Sequence, residues 1–513
     1  MLSGRIARAI LVALCGGAAF PAAAMTPAEW LQAQPKPRFR EGHTLPRLTR
    51  YGWVDNVPVD ARIELCERWG YAVQLGPYLS WKVVDDLLKR AETATDGDPK
   101  LLALSIADPK RYPLCIVLSR DLPETPDPWT RDAKGELVGG KKIWSPEAPR
   151  AALEGAAELR AGPLRKLREK VPVHIVLNGG EYALGVPGFA RKQWEQDPRI
   201  LKGKGDKDWF SYVSEKKGLM ETIIADAVRK AAPDRSLYIY YTAGGGTHRN
   251  RTGSWGDWAY GFEWMRTASD LPSNEYYFRH FNDGWTGAND MLTQALNARG
   301  LELRFNAPLS YDWVCAGWVE EKPGPAHVPG ENPAALVDPT AGKLGDIARY
   351  TGFLKCLYTA GTVGANAGYY AFPLGGFGAS FPADKPPHWL RQAAALAHVH
   401  ALFSHQEPFV RDSDLLPGPL RHRWSKDFPA YEFPSGDQDV RVLARKRKGA
   451  AEWLIAAWAA DGGARDATVE IPALGRVALR ARPEGAVYRA ELKEGRAAMT
   501  LLDKDGLNPT SRD

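Results

Sequence analysis

Four carboxylates stand where apolar runs of the chain give out. Glu181 ends Val173-His174-Ile175-Val176-Leu177-Asn178-Gly179-Gly180-Glu181, and Asp121 follows the run Tyr112 to Leu118 through Arg120. Asp283 lies in His280-Phe281-Asn282-Asp283-Gly284-Trp285, and Asp312 in Ser310-Tyr311-Asp312-Trp313. A carboxylate just past the carboxyl end of a buried strand is where βα proteins place their chemistry. Two of them flanking a glycosidic bond suffice for its hydrolysis: one protonated acid for the leaving oxygen, one ionised nucleophile or base. Glu181 is the best acid, because an apolar, glycine-lined mouth raises a carboxyl pKa toward neutrality. Asp312 is the first choice of partner and Asp283 a close second. For either alone, capping a helix or holding an arginine is an equally good use of the side chain.

Aromatic residues concentrate around these acids. Trp255, Trp258, Trp264, Trp285, Trp313 and Trp318 place six of the eighteen tryptophans between Ala243 and Trp318. Flat apolar rings on loops suit the faces of sugar rings or another stacked ligand, although several must pack the loops themselves. The expected substrate contacts are Asn178, Trp53, Arg120, Asp121, His280, Trp285, Tyr311, Trp313 and Trp255.

The elements that would position these groups alternate strand and helix. The strands are expected at Leu48 to Trp53, Tyr71 to Leu75, Tyr112 to Leu118, Val173 onward, Leu237 to Tyr241, Glu275 to Phe281, Leu301 to Tyr311 and Gly368 to Phe372. β-Branched, continuously apolar runs such as Val173 to Leu177 read as parallel strands covered on both faces. Ser80 is placed to cap a helix whose inner face carries Val83, Val84, Leu87 and Leu88. Eight such units over about 360 residues predict a TIM (β/α)8 barrel spanning 47–411, after an extended, proline-containing lead-in at 25–46. An open doubly wound sheet is the alternative, but no glycine-rich phosphate turn follows the first strand. Beyond Pro417 short alternating runs punctuated by Gly, Asp and Pro predict a small antiparallel β-sandwich at 412–513.

With Glu181 following strand four behind Asn178, aromatic loops on later strands and an appended β-sandwich, the chain resembles the large (β/α)8 clan of retaining glycoside hydrolases. The clan's acid/base Glu directly follows Asn at the end of strand four, and its nucleophile is a Glu at the end of strand seven. Glu181 matches the first position with two glycines inserted after Asn178. At strand seven this chain has Asp312, with Glu320 and Glu321 some eight residues further on. The resemblance implies an oligo- or polysaccharide substrate and a mechanism that needs neither metal nor organic cofactor.

Composition bounds the rest. The 513 residues are 44% hydrophobic and 25% charged, as in a globular chain with room for two cores. Residues 1–24 read as a secretory signal peptide: Arg5 and Arg8, an apolar stretch from Ala9 to Phe20, and Ala22-Ala23-Ala24 as the cleavage site. This predicts a secreted or periplasmic protein. No other apolar run is long enough to cross a bilayer. Removing the signal lowers the formal net charge from +6 to +4, and no basic stripe suggests nucleic acid. The densest basic run, Arg445 to Lys448, reads as a solvated hairpin. Cys66, Cys115, Cys315 and Cys356 lie far apart in apolar surroundings and read as buried thiols, with one disulfide an open possibility. His398, His400 and His405 share a helix without an accompanying acid and read as core or surface residues. H-E-x-x-H and G-x-S-x-G are both absent. A secreted glycoside hydrolase is therefore expected. A non-catalytic carbohydrate-binding protein or a metal-dependent hydrolase on the same barrel are the other readings.

Overall fold

The computed structural model describes residues 24–51, 57–76, 78–179, 182–185, 187–240, 262–277, 288–319, 347–371, 380–418, 430–436, 440–460 and 463–503. Its first part carries eight parallel strands: β1 (Thr49–Tyr51), β2 (Val73–Gln74), β3 (Leu114–Val117), β4 (Val173–Asn178), β5 (Leu237–Tyr240), β6 (Glu275–Tyr277), β7 (Ser310–Val319) and β8 (Thr362–Ala371). The principal helices are α1 (Pro27–Ala33), α2 (Val59–Arg68), α3 (Trp81–Ala91), α4 (Gly97–Ala107), α5 (Arg150–Arg168), α6 (Trp209–Ala231), α7 (Ala288–Arg304), α8 (Ile347–Ala360) and α9 (His388–Ser404). Their starts follow from capping chemistry. Thr26 and Glu29 form a reciprocal capping box on α1, Ser80 accepts from the Val83 amide on α3, and Asp208 accepts from Ser211 on α6. Gly70 (φ +80°) turns the chain after α2, with the Phe39 ring packed where a Cβ would sit.

The strands pair as two four-stranded parallel sheets, β2-β3-β4-β5 and β6-β7-β8-β1. Beside β1 and β2 they are stitched together by a parallel bridge between Leu48 and Tyr71, where the Leu48 amide donates to Gly70 and the Ala72 amide to Leu48. On the far flank, the segment leading into β6 meets β5: the Asp270 amide donates to the Tyr238 carbonyl at 2.9 Å, and its carboxylate accepts from the Tyr238 amide. Strand residues are buried on both faces. One face gives Cys115, Val117, Ile175, Leu177, Leu237 and Ile239 to a core that also contains Tyr311 and Trp313 of β7. The other gives Leu114, Ile116, Val173, Val176 and Tyr238 to the layer of α3, α5 and α6.

The C-terminal part is antiparallel. Strands β9 (Ser413–Leu415), β10 (Val440–Arg447), β11 (Glu452–Ala459), β14 (Ala486–Lys493) and β15 (Arg496–Leu501) form one sheet in the order β9-β10-β11-β14-β15. A hairpin of β12 (Arg465–Ile471) and β13 (Gly475–Ala481) lies over it. Strict alternation turns Ala467, Val469, Ile471, Val477 and Leu479 inward against Val442, Trp453 and Ile455, and leaves Thr468, Glu470 and Arg480 exposed.

Several sequence expectations change. The lead-in is not extended throughout, since Pro27–Ala33 forms α1 behind its Thr26 cap, and strand eight begins at Thr362 instead of Gly368. The run from Leu301 is not strand seven but the last turn of α7, which continues the helical spacing of Leu292 and Leu296. The alternation of Leu301, Leu303 and Phe305 fits a period of two almost as well, so only Asn306 in the left-handed region (φ +57°) and Pro308 mark the boundary. Strand seven starts at Ser310 and runs ten residues. Ala486–Lys493 is a further strand of the C-terminal sheet. The run Arg445 to Lys448 does lead into the β10–β11 hairpin, with Lys448 exposed, but the Arg445 side chain is not solvated. It is 1% exposed, and its guanidinium donates to the carbonyls of Thr359, Val410 and Ser413 and to the Ser413 hydroxyl. Cys66, Cys115 and Cys356 are free and buried, and burial pushes the Cys66 thiol up to about 12. His400 sits between the Tyr358 hydroxyl and the Pro46 carbonyl, and His398 packs edge-on to Trp69, so both are core residues.

Helix α8 docks the two parts. Its Gly352 lies flat against the Trp458 indole and the Pro483 carbonyl, and Phe353 packs beside the same ring at 6.4 Å. Lys355, buried beside it, pairs with Asp503. Ala ordinarily stabilises a helix interior relative to Gly by about 1 kcal/mol. Here the sign should reverse, since a Cβ collides with Trp458. Gly352→Ala is expected to lower stability by about 1–3 kcal/mol, the range for overpacking, measured as a fall in the urea midpoint.

Candidate active site

The turn that would carry the acid is held from behind. By alternation Asn178 points away from Ile175 and Leu177, into the helix layer, where it is fully buried. Its amide nitrogen lies 2.9 Å from the Tyr238 hydroxyl, 3.0 Å from the Glu221 carboxylate and 3.1 Å from the Tyr182 hydroxyl. Tyr182 donates to Glu221 at 2.7 Å, and Lys217 donates to the same carboxylate at 2.6 Å. Arg160 lies over the Tyr182 ring at 4.2 Å and donates to the Asp121 carbonyl at 3.0 Å. Lys217 and Glu221 have no solvent exposure. Burial holds the Lys217 ammonium below its ordinary pKa, and Glu221 opposes that shift. Burial and the neighbouring Glu221 charge push the Tyr182 phenol well up. The two residues flanking Gly179-Gly180-Glu181 are thus fixed by one charged cluster. Glu181 itself lies outside the described residues.

Sequence reading did not single out this cluster, although it left a signal. Lys217 and Glu221 are spaced i, i+4 on the face of α6 that also buries Val213, Ile224 and Val228. A charged pair on a core-facing stripe must be satisfied internally.

Asp312 is not a strand-end carboxylate. It is the third residue of β7, at the amino end, and fully buried. It accepts from the Asn274 amide at 3.2 Å, from the Thr362 hydroxyl at 2.6 Å and from Ser310, and lies 3.8 Å from Arg299 of α7. Arg299 also pairs with Glu302 at 2.6 Å. Burial raises the Asp312 pKa, opposed by Arg299, and raises that of Glu302 to about 7. Three hydrogen-bond donors, the Arg299 ion pair and a packed helix leave the fully buried Asp312 no access to a substrate. Tyr311 and Trp313, on the opposite face, are likewise core: Tyr311 donates to the Arg47 carbonyl at 2.9 Å and lies 2.9 Å from the Thr49 hydroxyl. With Asn178, these three expected site residues belong to the scaffold instead. The apolar pattern places the start of strand seven nine residues too early, and Asn178 faces the helices.

Arg120 and Asp121 do lie past the carboxyl end of β3. Arg120 is half-buried over the Tyr78 ring at 4.8 Å, and Asp121 is exposed. Trp53, Trp255, His280, Asp283 and Trp285 lie outside the described residues. Strand β7 continues to Val319, and the next residue in the chain is Glu320, also outside them.

Two measurements probe these clusters. Glu221→Gln strands the buried Lys217 charge and is expected to cost about 3–5 kcal/mol. Replacing the pair together, Lys217→Met with Glu221→Leu, should recover at least ~1 kcal/mol of that in chemical unfolding. For Glu302 the raised pKa means the folded chain holds more protons than the unfolded chain between its ordinary 4.5 and about 7. Its contribution is full below pH 4.5 and is lost as pH rises through about 7. Unfolding midpoints across this window should show a shallower decline in Glu302→Gln than in the wild type.

No protein-family model and no curated protein matches the chain. Among solved structures it is similar to an exo-carrageenase GH42 from Bacteroides ovatus, at 9% identity, covering 92% of this chain and 86% of that one with a TM-score of 0.43. A GH30 endoxylanase from Clostridium papyrosolvens is 9% identical over 89% of this chain and 99% of its own, with a TM-score of 0.37. A glycoside hydrolase family 5 protein from Bacteroides vulgatus is 10% identical, with 94% of each chain covered and a TM-score of 0.32. Likeness at this level does not bear on what the chain does.

Proposed function

We propose that the chain is a secreted glycoside hydrolase acting on an oligo- or polysaccharide, with its eight parallel strands closed into a (β/α)8 barrel over 47–411 and a β-sandwich at 412–513. Closure is supported by backbone contacts at both junctions between the two four-stranded sheets, Leu48 with Tyr71 and Asp270 with Tyr238. The cyclic order of strands then follows the chain. Secretion rests on the signal-like pattern of residues 1–24.

The observation that carries the reading is the extent of β7. Because the strand runs to Val319, the carboxylate that follows it is Glu320, not Asp312. Strand four leads through two glycines into Glu181, and strand seven leads directly into Glu320. A glutamate past each of these two strands is the pattern implied by the resemblance to retaining glycoside hydrolases. In this mechanism Glu181 protonates the leaving oxygen and then activates water, while Glu320 attacks the anomeric carbon. Asp283, beyond β6, is the alternative second carboxylate. Asn178 and Tyr182 act as positioning residues that hold the turn bearing Glu181, and Arg120 and Asp121 border the same end of the strands.

The test is hydrolysis of a broad glycan panel by the wild type, Glu181→Gln, Glu320→Gln and Asp312→Asn. Sugar release by the wild type with a loss of at least ~10²-fold in the first two variants is expected. Asp312→Asn should unfold more readily yet keep its turnover per folded molecule. Equal activity of Glu181→Gln and the wild type would overturn the assignment of the acid. Tight glycan binding without turnover in any variant would leave a carbohydrate-binding protein in its place.

A further inference from the structure

A cleft of about 730 Å³ opens at the amino end of the strands, opposite the carboxyl end of β4. Its wall is set by residues at or just before strand starts: His174 in β4, Ser236 and Leu237 at β5, Leu309 before β7 and Val363 in β8. Six strand residues at about 3.3 Å each put it roughly 20 Å from the carboxyl ends. The cleft is therefore separate from the proposed glycosidase site.

Its lining combines apolar side chains with charged ones. Leu45, Leu237, Leu271, Leu309 and Val363 supply the apolar surface. Most charges at the rim are already matched. Glu67 pairs with Arg111 at 2.9 Å and accepts from Tyr112, Arg68 pairs with Glu64 at 3.3 Å, and Arg411 pairs with Glu407 at 2.9 Å. Arg47 is the exception. Among the described residues its guanidinium makes one hydrogen bond, from Nη1 to the Cys66 carbonyl at 3.3 Å, and no ion pair. Three imidazoles accompany it, of which His400 is held between the Tyr358 hydroxyl and the Pro46 carbonyl. His43 Nδ1 is buried without a hydrogen-bond partner, and His174 uses Nδ1 on the Ser236 hydroxyl at 2.8 Å. Burial holds all three rings below their ordinary pKa, that of His174 down to about 4 and that of His400 to about 3, so none competes as a cation near neutral pH.

One guanidinium without an ion pair, in a cleft that is also lined by leucine and valine side chains, fits one kind of ligand. A guanidinium fork binds a carboxylate through parallel hydrogen bonds, and clefts of about 300–1,000 Å³ with few convergent polar groups are the usual small-molecule sites. We propose that this amino-end cleft binds a small monocarboxylate with an apolar body, its carboxylate on Arg47 and its body against Leu237, Leu309 and Val363.

Octanoate is a direct probe, with 1-octanol as its uncharged counterpart. Calorimetric titration of the whole protein should show saturable octanoate binding and at least tenfold weaker binding of 1-octanol. Arg47→Gln is expected to weaken octanoate at least tenfold and leave 1-octanol unchanged, while Leu309→Trp, which fills the cleft from its half-buried rim, should weaken both. Near-ultraviolet circular dichroism checks that each variant is folded. The comparison of octanoate with 1-octanol on the wild type decides the matter even if a variant fails to fold. Absence of saturable octanoate binding, equal affinity for the alcohol, or an unchanged affinity in folded Arg47→Gln would each overturn the proposal.

Discussion

A charge taken out of water must be neutralised by its neighbours, and in this protein that requirement ties the sheet to its helices. The Lys217–Glu221 pair of α6 has no contact with solvent, so its cost is offset only if every polar atom around it is placed correctly. Asn178 of β4, Tyr238 of β5 and Tyr182 beyond the turn supply those atoms. The same cluster therefore sets where α6 sits, how β4 and β5 are matched, and where the chain must leave β4. A purely apolar contact would hold the layers together with less definition of register.

The second sheet uses the same device on its helix-facing side. Arg299 and Glu302 of α7 meet Asp312 of β7, with Ser310, Thr362 and Asn274 completing the shell. This cluster lies at the amino end of the strands, whereas the Asn178 cluster lies at the carboxyl end of β4. The acid first picked as catalytic is consequently structural, and its burial raises its pKa for reasons unconnected with turnover. A perturbed carboxyl is a functional signal only when it also faces a cleft.

Attachment of the C-terminal sheet follows from close approach and not from a large apolar patch alone. Gly352 brings α8 onto the Trp458 ring, while Arg445 and the Lys355–Asp503 pair satisfy backbone carbonyls and buried charge in the seam. The resulting contact buries matched charge in the seam, which defines how the two parts meet more than how strongly they adhere.

Much of the architecture was legible in the sequence because it rests on local rules. The β-branched run at Val173 to Leu177 folded as a buried parallel strand, Ser80 capped its helix, and the alternation in Ala467 to Ile471 turned one face inward. Glu181 is marked in the sequence by the apolar run, Asn178 and the two glycines that precede it. Tertiary structure decided the rest. Leu301, Leu303 and Phe305 satisfy both a helical and an alternating reading, and only packing of Leu301 in α7 resolved it, moving Asp312 from the strand's end to its start. Arg445 looks solvated in a basic run but is buried, since the carbonyls that receive it come from residues some 30 to 90 positions away. Asn178 is read as facing a ligand until alternation along β4 turns it to the helices. Spacing along the chain fixes which residues share a face, whereas which face meets water, and which charge meets its partner, depends on distant segments that only the folded core brings together.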